Sequence, residues 1–139
     1  METSVFLALA LACAPQVHTD TARALVSVES AFNPWAIGVV GGSLVRQPRH
    51  RAEALATAKA LQAAGWNFSV GLGQINVGNF ARLGLTLESA FEPCTNLAAM
   101  QVTGCCGTPL HPLGSLDDHA YVLEDAGIET LVYDPSAFD

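Results

Sequence analysis

Residues 22–34 constrain the fold most, because they combine a helical apolar pattern with an acidic side chain on the apolar face. Ala22, Leu25 and Val26 recur at spacings of three and four residues, and Phe32 follows further along. This period is typical of an amphipathic helix. Glu29 lies four residues after Leu25, so we expect it on the apolar face of the helix and away from its solvated side.

The ends of this helix are marked by residues that favour helix boundaries. Thr19 and Asp20 both belong to the types that cap helix N-termini, so either can begin it. Pro34 disfavours helical geometry at the residue before it, which predicts that the helix stops near Asn33. Glu29 would then lie close to the last turn.

The position of Glu29 has two interpretations. A carboxyl group among apolar neighbours favours its neutral form, so its pKa rises. A pKa raised toward neutral pH is what a general acid requires, which makes Glu29 a candidate catalytic residue. The alternative is a structural role, in which a buried Glu29 is paired with an arginine or a backbone donor. The pattern alone leaves both open.

The composition is that of one folded domain. The chain has 139 residues, of which 50% are hydrophobic and 14% charged. Residues 1–82 hold all six Lys and Arg residues and four acids, a formal charge of +2, whereas residues 83–139 hold nine acids and no Lys or Arg, a charge of −9. No basic stripe of the kind that binds nucleic acid is present, so we expect no nucleic-acid partner.

The four cysteines do not have the spacing of a zinc site: Cys13, Cys94, Cys105 and Cys106. We therefore expect no metal, and no motif calls for another cofactor. An even number of cysteines is compatible with disulfides in an oxidising compartment.

Residues 5–14 form an apolar run that is too short to span a bilayer. One interpretation is the core of a signal peptide, because Ala-Leu-Ala before Cys13 is similar to a lipoprotein cleavage site. The amino end, however, lacks the Lys or Arg that begins most signal peptides. We therefore favour the second interpretation, a first core helix, and expect no membrane span.

Glycine and proline divide the rest of the chain into short elements. The expected elements are a loop with a short hairpin over 35–50, a helix over 51–64, an extended piece over 66–70, and helices over 79–83, 87–91 and 93–101.

Residues 71–76, Gly-Leu-Gly-Gln-Ile-Asn, form a second motif. Its two glycines let the backbone approach a ligand closely, and Gln74 and Asn76 carry amides that both donate and accept hydrogen bonds. Such amides suit a sugar with hydroxyl and N-acetyl groups. A plain turn is the alternative, and a dinucleotide fingerprint is excluded because the third glycine is absent.

The two motifs, in this order, resemble those of the soluble lytic transglycosylases, which share a fold with goose-type lysozyme. Residues 24–34, Ala-Leu-Val-Ser-Val-Glu-Ser-Ala-Phe-Asn-Pro, resemble the signature around the catalytic glutamate, and residues 71–76 resemble the second motif of the family. Three further segments are similar to the branch associated with type IV secretion systems and the Vir B operon: residues 35–42, 64–69 and 91–97.

The resemblance implies a mainly α, lysozyme-like α+β transglycosylase domain that acts on peptidoglycan glycan strands. Glu29 would protonate the glycosidic oxygen between N-acetylmuramic acid and N-acetylglucosamine, and would then act as base while the muramyl C6 hydroxyl closes a 1,6-anhydro ring. One carboxylate would suffice, with help from the acetamido group of the substrate. Gln74 and Asn76 would line the groove beside the scissile bond, and Ser30 would support Glu29 or touch substrate.

The resemblance also implies a biological setting. The protein would act in the periplasm and open the cell wall locally for type IV secretion assembly, with components of that system as partners. In this branch the residue matching Cys13 begins the segment after a first helix, which supports the core-helix interpretation. A disulfide between Cys13 and Cys94 is the corresponding hypothesis.

Beyond Gln101 the chain departs from the family. We expect a transglycosylase domain over residues 5–101 that is incomplete at its C-terminal end, and a divergent acidic tail over residues 102–139, produced by a shifted reading frame or a truncation. The tail lacks the tyrosine-asparagine motif that closes the sugar-binding groove in the family. Two alternatives to an active transglycosylase therefore stay open: an inactive remnant that binds glycan or secretion partners, and a lysozyme-type hydrolase.

Overall fold

The computed structural model describes residues 1–104, which form six helices and a small sheet of three short strands. In chain order the elements are α1 (Thr3–Cys13), α2 (Thr19–Ser30), β1 (Ile37–Val39), α3 (Arg51–Ala63), β2 (Phe68–Val70), β3 (Ile75–Asn76), a 3₁₀ turn (Val77–Asn79), α4 (Phe80–Leu83), α5 (Leu87–Ala90) and α6 (Pro93–Gly104). The predicted mainly helical α+β class is confirmed. The part of the predicted acidic tail that follows Gly104 lies outside the described residues.

The core is formed by side chains from the helices and from the inner face of the sheet. Its largest fully buried members are Phe6, Val26, Phe68, Val70, Leu72, Phe91 and Leu97. Helix α1 packs against α2 and α6, and its Phe6 and Ala10 have no exposed surface. The apolar run over residues 5–14 is therefore part of a core helix in the structure. No helix within residues 1–104 is long and apolar enough to cross a membrane.

The sheet is an antiparallel arrangement in the order β1-β2-β3. Side chains alternate between its faces, and the paired positions divide into a buried row, Ile37, Val70 and Ile75, and an outer row, Gly38, Ser69 and Asn76. The hairpin expected within residues 35–50 is wrong, because β1 pairs with β2, which follows only after α3.

The N-cap of helix α2 lies one residue before the two expected caps. The N-cap is His18, whose Nδ1 accepts a hydrogen bond from the Asp20 N–H at 3.2 Å, so neither Thr19 nor Asp20 caps the helix. A neutral imidazole nitrogen is an acceptor, which lets it satisfy one of the free N–H groups at a helix start.

Helix α2 also ends earlier than predicted. It stops at Ser30, because Ala31 and Phe32 both have left-handed backbone conformations, with φ of 50° and 60°. The Phe32 ring packs edge-on against Phe6 of α1, with ring centroids 5.2 Å apart. This contact with the core stabilises the turn that ends the helix.

A disulfide and a hydrogen bond also join the start of the chain to α6. Cys13, at the end of α1, forms a disulfide with Cys94, and the two Cα atoms are 5.2 Å apart. The Gln16 N–H donates to Gln101 Oε1 at 2.8 Å. The bonded cysteines are 81 residues apart, so α2 to α5 and the whole sheet lie inside the loop that the disulfide closes.

Candidate active site

Glu29 lies in the last turn of α2, on the face that carries Ala22 and Val26. Those two side chains are fully buried, but Glu29 itself is exposed to solvent. Glu29 thus lies on the predicted face, but the expectation that it lies away from solvent is wrong. The core covers this face over the first turns of the helix and leaves it open at Glu29.

The pKa of Glu29 is nevertheless raised above its ordinary value, because the surrounding protein removes part of the hydration of the carboxylate. Four other carboxylates in residues 1–104 form ion pairs with arginine or lysine: Asp20, Glu53, Glu88 and Glu92. Glu29 has no ion pair within the same residues. The structural alternative, pairing with an arginine, is thus not realised in the described part of the chain.

Ser30 joins the end of α2 to the loop over residues 71–74. Its side chain is buried, with 9% of its surface exposed, and its hydroxyl donates to the Leu72 carbonyl at 2.8 Å. The Val26 carbonyl lies at 3.2 Å and is the weaker acceptor of the same hydrogen. The hydroxyl hydrogen of Ser30 is therefore engaged by main-chain carbonyls, and its two predicted roles, support of Glu29 or contact with substrate, stay predictions.

The backbone of Gln74 has a left-handed conformation, with φ of 50°, and main-chain carbonyls hold its side chain. Its Nε2 donates to the Gly71 carbonyl at 2.9 Å and to the Ala36 carbonyl at 3.1 Å, so both amide hydrogens are committed. Its Oε1 lies over Gly38, where an added Cβ would come within 2.7 Å of that oxygen. Gln74 can therefore offer a substrate an acceptor but no donor.

Asn76 is engaged by the protein through each of its polar side-chain atoms. Its Oδ1 accepts from the Gly78 N–H at 2.9 Å, and its Nδ2 donates to Asn67 Oδ1 at 2.9 Å and to Ser69 Oγ at 3.3 Å. The side chain is half-buried on the outer face of the sheet. This bonding is suited to orienting its neighbours, because no amide hydrogen remains for a ligand.

Asn96 of α6 is a residue to which the sequence assigned no role. It has 1% of its surface exposed, its Oδ1 accepts from the Gly73 N–H at 2.8 Å, and its Nδ2 donates to the carbonyls of Ala90 at 2.8 Å and Val70 at 3.0 Å. Gly71 has a φ of 81°, and a Cβ there would overlap Asn96 Nδ2. Asn96 thus fixes the loop that carries Gln74. The sequence feature that could have identified Asn96 is its position as a polar residue beside apolar residues of α6, such as Leu97.

A cavity of about 380 Å³ lies on the other side of α2. Its lining residues are Thr3, Asp20, Arg23, Ala24, Ser27 and Phe32. Ala24 and Ser27 lie on the helix face opposite Glu29, so this cavity is separate from the candidate site at Glu29 and the 71–74 loop.

Among residues 1–104, no cluster of three His, Cys, Asp or Glu side chains could hold a metal ion.

Curated proteins with similar sequences include products of virB1. The chain is 56% identical over 92 residues to "Type IV secretion system protein virB1" of Brucella abortus (strain 2308), which covers 66% of this chain and 39% of that protein. It is 40% identical over 88 residues to "Protein virB1" of Agrobacterium fabrum (strain C58 / ATCC 33970), covering 62% of this chain and 35% of that protein. The chain thus spans well under half the length of these relatives.

A third protein with a similar segment has a name of a different kind, that of a ligase. Over 62 residues the chain is 45% identical to "Medium/long-chain-fatty-acid--CoA ligase FadD8" of Mycobacterium tuberculosis (strain ATCC 25618 / H37Rv). The match covers 11% of that protein, which is too little to carry an argument about activity.

No solved structure matches the chain. The model of the family described as "Transglycosylase SLT domain" matches residues 6–101, which include α2, the sheet, the 71–74 loop and most of α6. The chain therefore belongs to the transglycosylase SLT domain family.

Proposed function

We propose that this chain is a peptidoglycan lytic transglycosylase domain that cleaves the bond between N-acetylmuramic acid and N-acetylglucosamine. The observation that carries the proposal is the setting of Glu29. It is exposed to solvent, its pKa is raised, and its neighbour Ser30 bonds to the loop that carries Gln74. Membership of the transglycosylase family supports the same reaction.

In the proposed reaction Glu29 acts first as an acid and then as a base. Its protonated carboxyl gives the proton to the glycosidic oxygen, and the bond from that oxygen to the muramyl C1 breaks. The resulting carboxylate takes the proton of the muramyl C6 hydroxyl while the C6 oxygen bonds to C1. The product is a 1,6-anhydro-muramyl end, and Glu29 is protonated again for the next cycle.

A single carboxylate is sufficient for this sequence, because the intramolecular hydroxyl replaces water as nucleophile. The usual glycosidase uses a second carboxylate as base or nucleophile. The carboxylates of Asp20, Glu53, Glu88 and Glu92 are ion-paired with arginine or lysine, which makes these four less suited to act as a second acid or base. The acetamido group of the substrate would stabilise the charge that develops at C1. Gln74 Oε1 would accept a hydrogen bond from a sugar hydroxyl or N–H.

The setting of the reaction is part of the proposal. Relatives at 56% identity bear the name "Type IV secretion system protein virB1", which supports local opening of the cell wall during assembly of such a system. The substrate would then be peptidoglycan in the periplasm, and components of the secretion system would be partners.

The test is the mass of the products released from purified peptidoglycan. A transglycosylase releases muropeptides that end in a 1,6-anhydro ring and have gained no water, and this is the expected result. Products that have gained one water would identify a lysozyme-type hydrolase. Binding of the chain to peptidoglycan without any released product would contradict the catalytic proposal and favour a glycan-binding remnant.

A further inference from the structure

The outer face of the sheet carries three polar side chains whose orientations determine one another. Asn76 Oδ1 accepts from the Gly78 backbone N–H, and a backbone N–H can only donate. This bond fixes which end of the Asn76 amide is oxygen. Its Nδ2 must therefore point the other way, toward Asn67 and Ser69.

The orientation of Asn67 and Ser69 follows from that of Asn76. The atom of Asn67 that faces Asn76 Nδ2 must be an acceptor, so it is Oδ1, and the Asn67 Nδ2 group points away with its two hydrogens. Ser69 Oγ likewise accepts from Asn76, which leaves its own hydrogen to donate. Within residues 1–104 neither Asn67 nor Ser69 donates a side-chain hydrogen bond, and Asn67 is exposed.

These donors lie on the same face as the Gln74 side chain. Ser69 pairs with Gly38 of β1, and Gln74 Oε1 lies over Gly38. Neighbouring strands are about 4.8 Å apart, and residues 67 and 69 lie on the same side of β2 because the side-chain period is two. The face therefore continues from the acceptor at Gln74 to the donors at Ser69 and Asn67.

We propose that Asn67 and Ser69 form a subsite that binds the carbonyl oxygen of an N-acetyl group of the glycan, with Asn76 as the residue that positions them. The proposal rests on the proposed function, since it extends the same groove. An N-acetyl carbonyl is an acceptor, which matches a pair of donors and complements Gln74, whose side chain can only accept. It also gives Asn76 an indirect role, in place of the direct sugar contact expected from the sequence.

The test measures binding in a Glu29→Gln background, so that the ligand is not cleaved. Asn67→Ala and Ser69→Ala are each titrated with the N-acetylated chito-tetrasaccharide and with its fully deacetylated form. Gln62→Ala is the matched control. Gln62 is exposed at the end of α3, and its substitution removes a side-chain amide of the same kind as that of Asn67. None of these three substitutions changes the charge of the protein, so the positive charge of the deacetylated ligand affects them equally.

Asn67→Ala should bind the N-acetylated ligand about tenfold more weakly than the parent, the usual effect of losing one hydrogen bond to a ligand. It should bind the deacetylated ligand as the parent does, and Gln62→Ala should bind both ligands unchanged. Ser69→Ala should show the same selective loss, which guards against a folding defect at one position.

Equal loss for both ligands, or no loss beyond that of Gln62→Ala, would overturn the subsite. A parent that binds neither ligand would overturn it too. In each case the release of anhydro-muropeptides by the wild-type chain decides separately on the proposed function, so the two failures are distinguishable.

Discussion

Among single residues, Glu29 matters most because it combines two properties that usually exclude each other. A polymeric glycan can reach only an exposed carboxyl group, and an exposed carboxyl group normally has an ordinary pKa. Glu29 is exposed, yet the protein around it removes enough hydration to raise its pKa. The protonated fraction near neutral pH is therefore larger than for a free glutamate, which is what an acid catalyst needs.

The raised pKa also predicts how stability depends on pH. The folded state resists ionisation of Glu29, so the contribution of this group is fully present below its unfolded pKa and is lost as pH rises through the folded pKa. Glu29→Gln should therefore gain stability relative to wild type as the pH rises from about 4 to about 7. Urea denaturation at both pH values measures the difference.

Glu53→Gln is the control of opposite sign. A hydrogen bond from the Arg49 N–H, together with Arg46, holds the pKa of Glu53 below its ordinary value. Its contribution is present above the unfolded pKa and is lost as pH falls, so this variant should lose stability relative to wild type as pH rises. Parallel behaviour of the two variants would contradict the assigned environments.

At the scale of elements, the turn after α2 ends the helix one residue beyond Glu29. It places two consecutive non-glycine residues, Ala31 and Phe32, in the left-handed region. Glycine normally occupies the first of these positions, because a Cβ there costs free energy. The packing of Phe32 on Phe6 offsets that cost and fixes the end of the helix.

Ala31→Gly should therefore stabilise the fold, by about 0.5–1 kcal/mol, since relief of the left-handed strain exceeds the added entropy of the unfolded chain. Ala24→Gly is the matched control, because Ala24 is exposed within the same helix and the same change should destabilise by about 1 kcal/mol. Urea denaturation measures both, and destabilisation by Ala31→Gly would contradict the strained turn.

Asn96 of α6 makes three hydrogen bonds to the backbone in and around the loop over residues 71–74. Asn96→Ala would leave the Gly73 N–H and the carbonyls of Val70 and Ala90 without their partner, at a cost of about 2–4 kcal/mol. It should also lower the rate of cleavage in conditions where the protein stays folded, because Gln74 loses its support.

Thr95→Ala, at the neighbouring half-buried position, is the control for Asn96→Ala. We expect it to change the free energy of unfolding by less than about 1 kcal/mol, since large losses of stability come from breaking buried hydrogen-bond networks and not from half-buried positions outside them. Equal losses in the two variants would contradict the role assigned to Asn96.

The elements show what the sequence could predict and what it could not. The helical period around Leu25 and Val26 predicted α2, because that pattern is local. The end of α2 was wrong by three residues, since the contact of Phe32 with Phe6 is set by tertiary packing. The pairing of β1 with β2 was also missed, because the strands are separated by a helix.

For the candidate site, too, local sequence predicted one part and contacts between distant residues determine the other. Glu29, Ser30, Gln74 and Asn76 were identified from local motifs and a resemblance. Their hydrogen bonds depend on residues distant in the chain, such as Leu72 for Ser30 and Ala36 for Gln74. The sequence therefore indicated which residues are candidates for the site, but not which of their atoms remain free for a ligand.

At the scale of the whole molecule, the disulfide between Cys13 and Cys94 encloses every element of the site. It joins residues 81 apart, so it removes much of the freedom of the unfolded chain. The proposed periplasmic setting is an oxidising compartment in which such a bond persists.

Cys13→Ser and Cys94→Ser should each destabilise the protein by about 4 kcal/mol, the loop-closure contribution expected for a loop of this length. The two losses should be equal, because either change removes the same bond. Denaturation with and without reductant provides the measurement. A wild-type protein that unfolds at the same urea concentration in both conditions would contradict a stabilising role for the bond.

The most direct test of the assigned chemistry is the rate at which soluble muropeptides are released from purified peptidoglycan by wild type, Glu29→Gln and Asp20→Asn. Asp20 is exposed in the same helix and near Arg23, so its replacement controls for the loss of a negative charge. Glu29→Gln should be slower than wild type by about 10²–10⁴-fold, the contribution of a general acid-base group, while Asp20→Asn stays close to wild type. A Glu29→Gln protein that releases muropeptides at the wild-type rate would contradict the central role of Glu29.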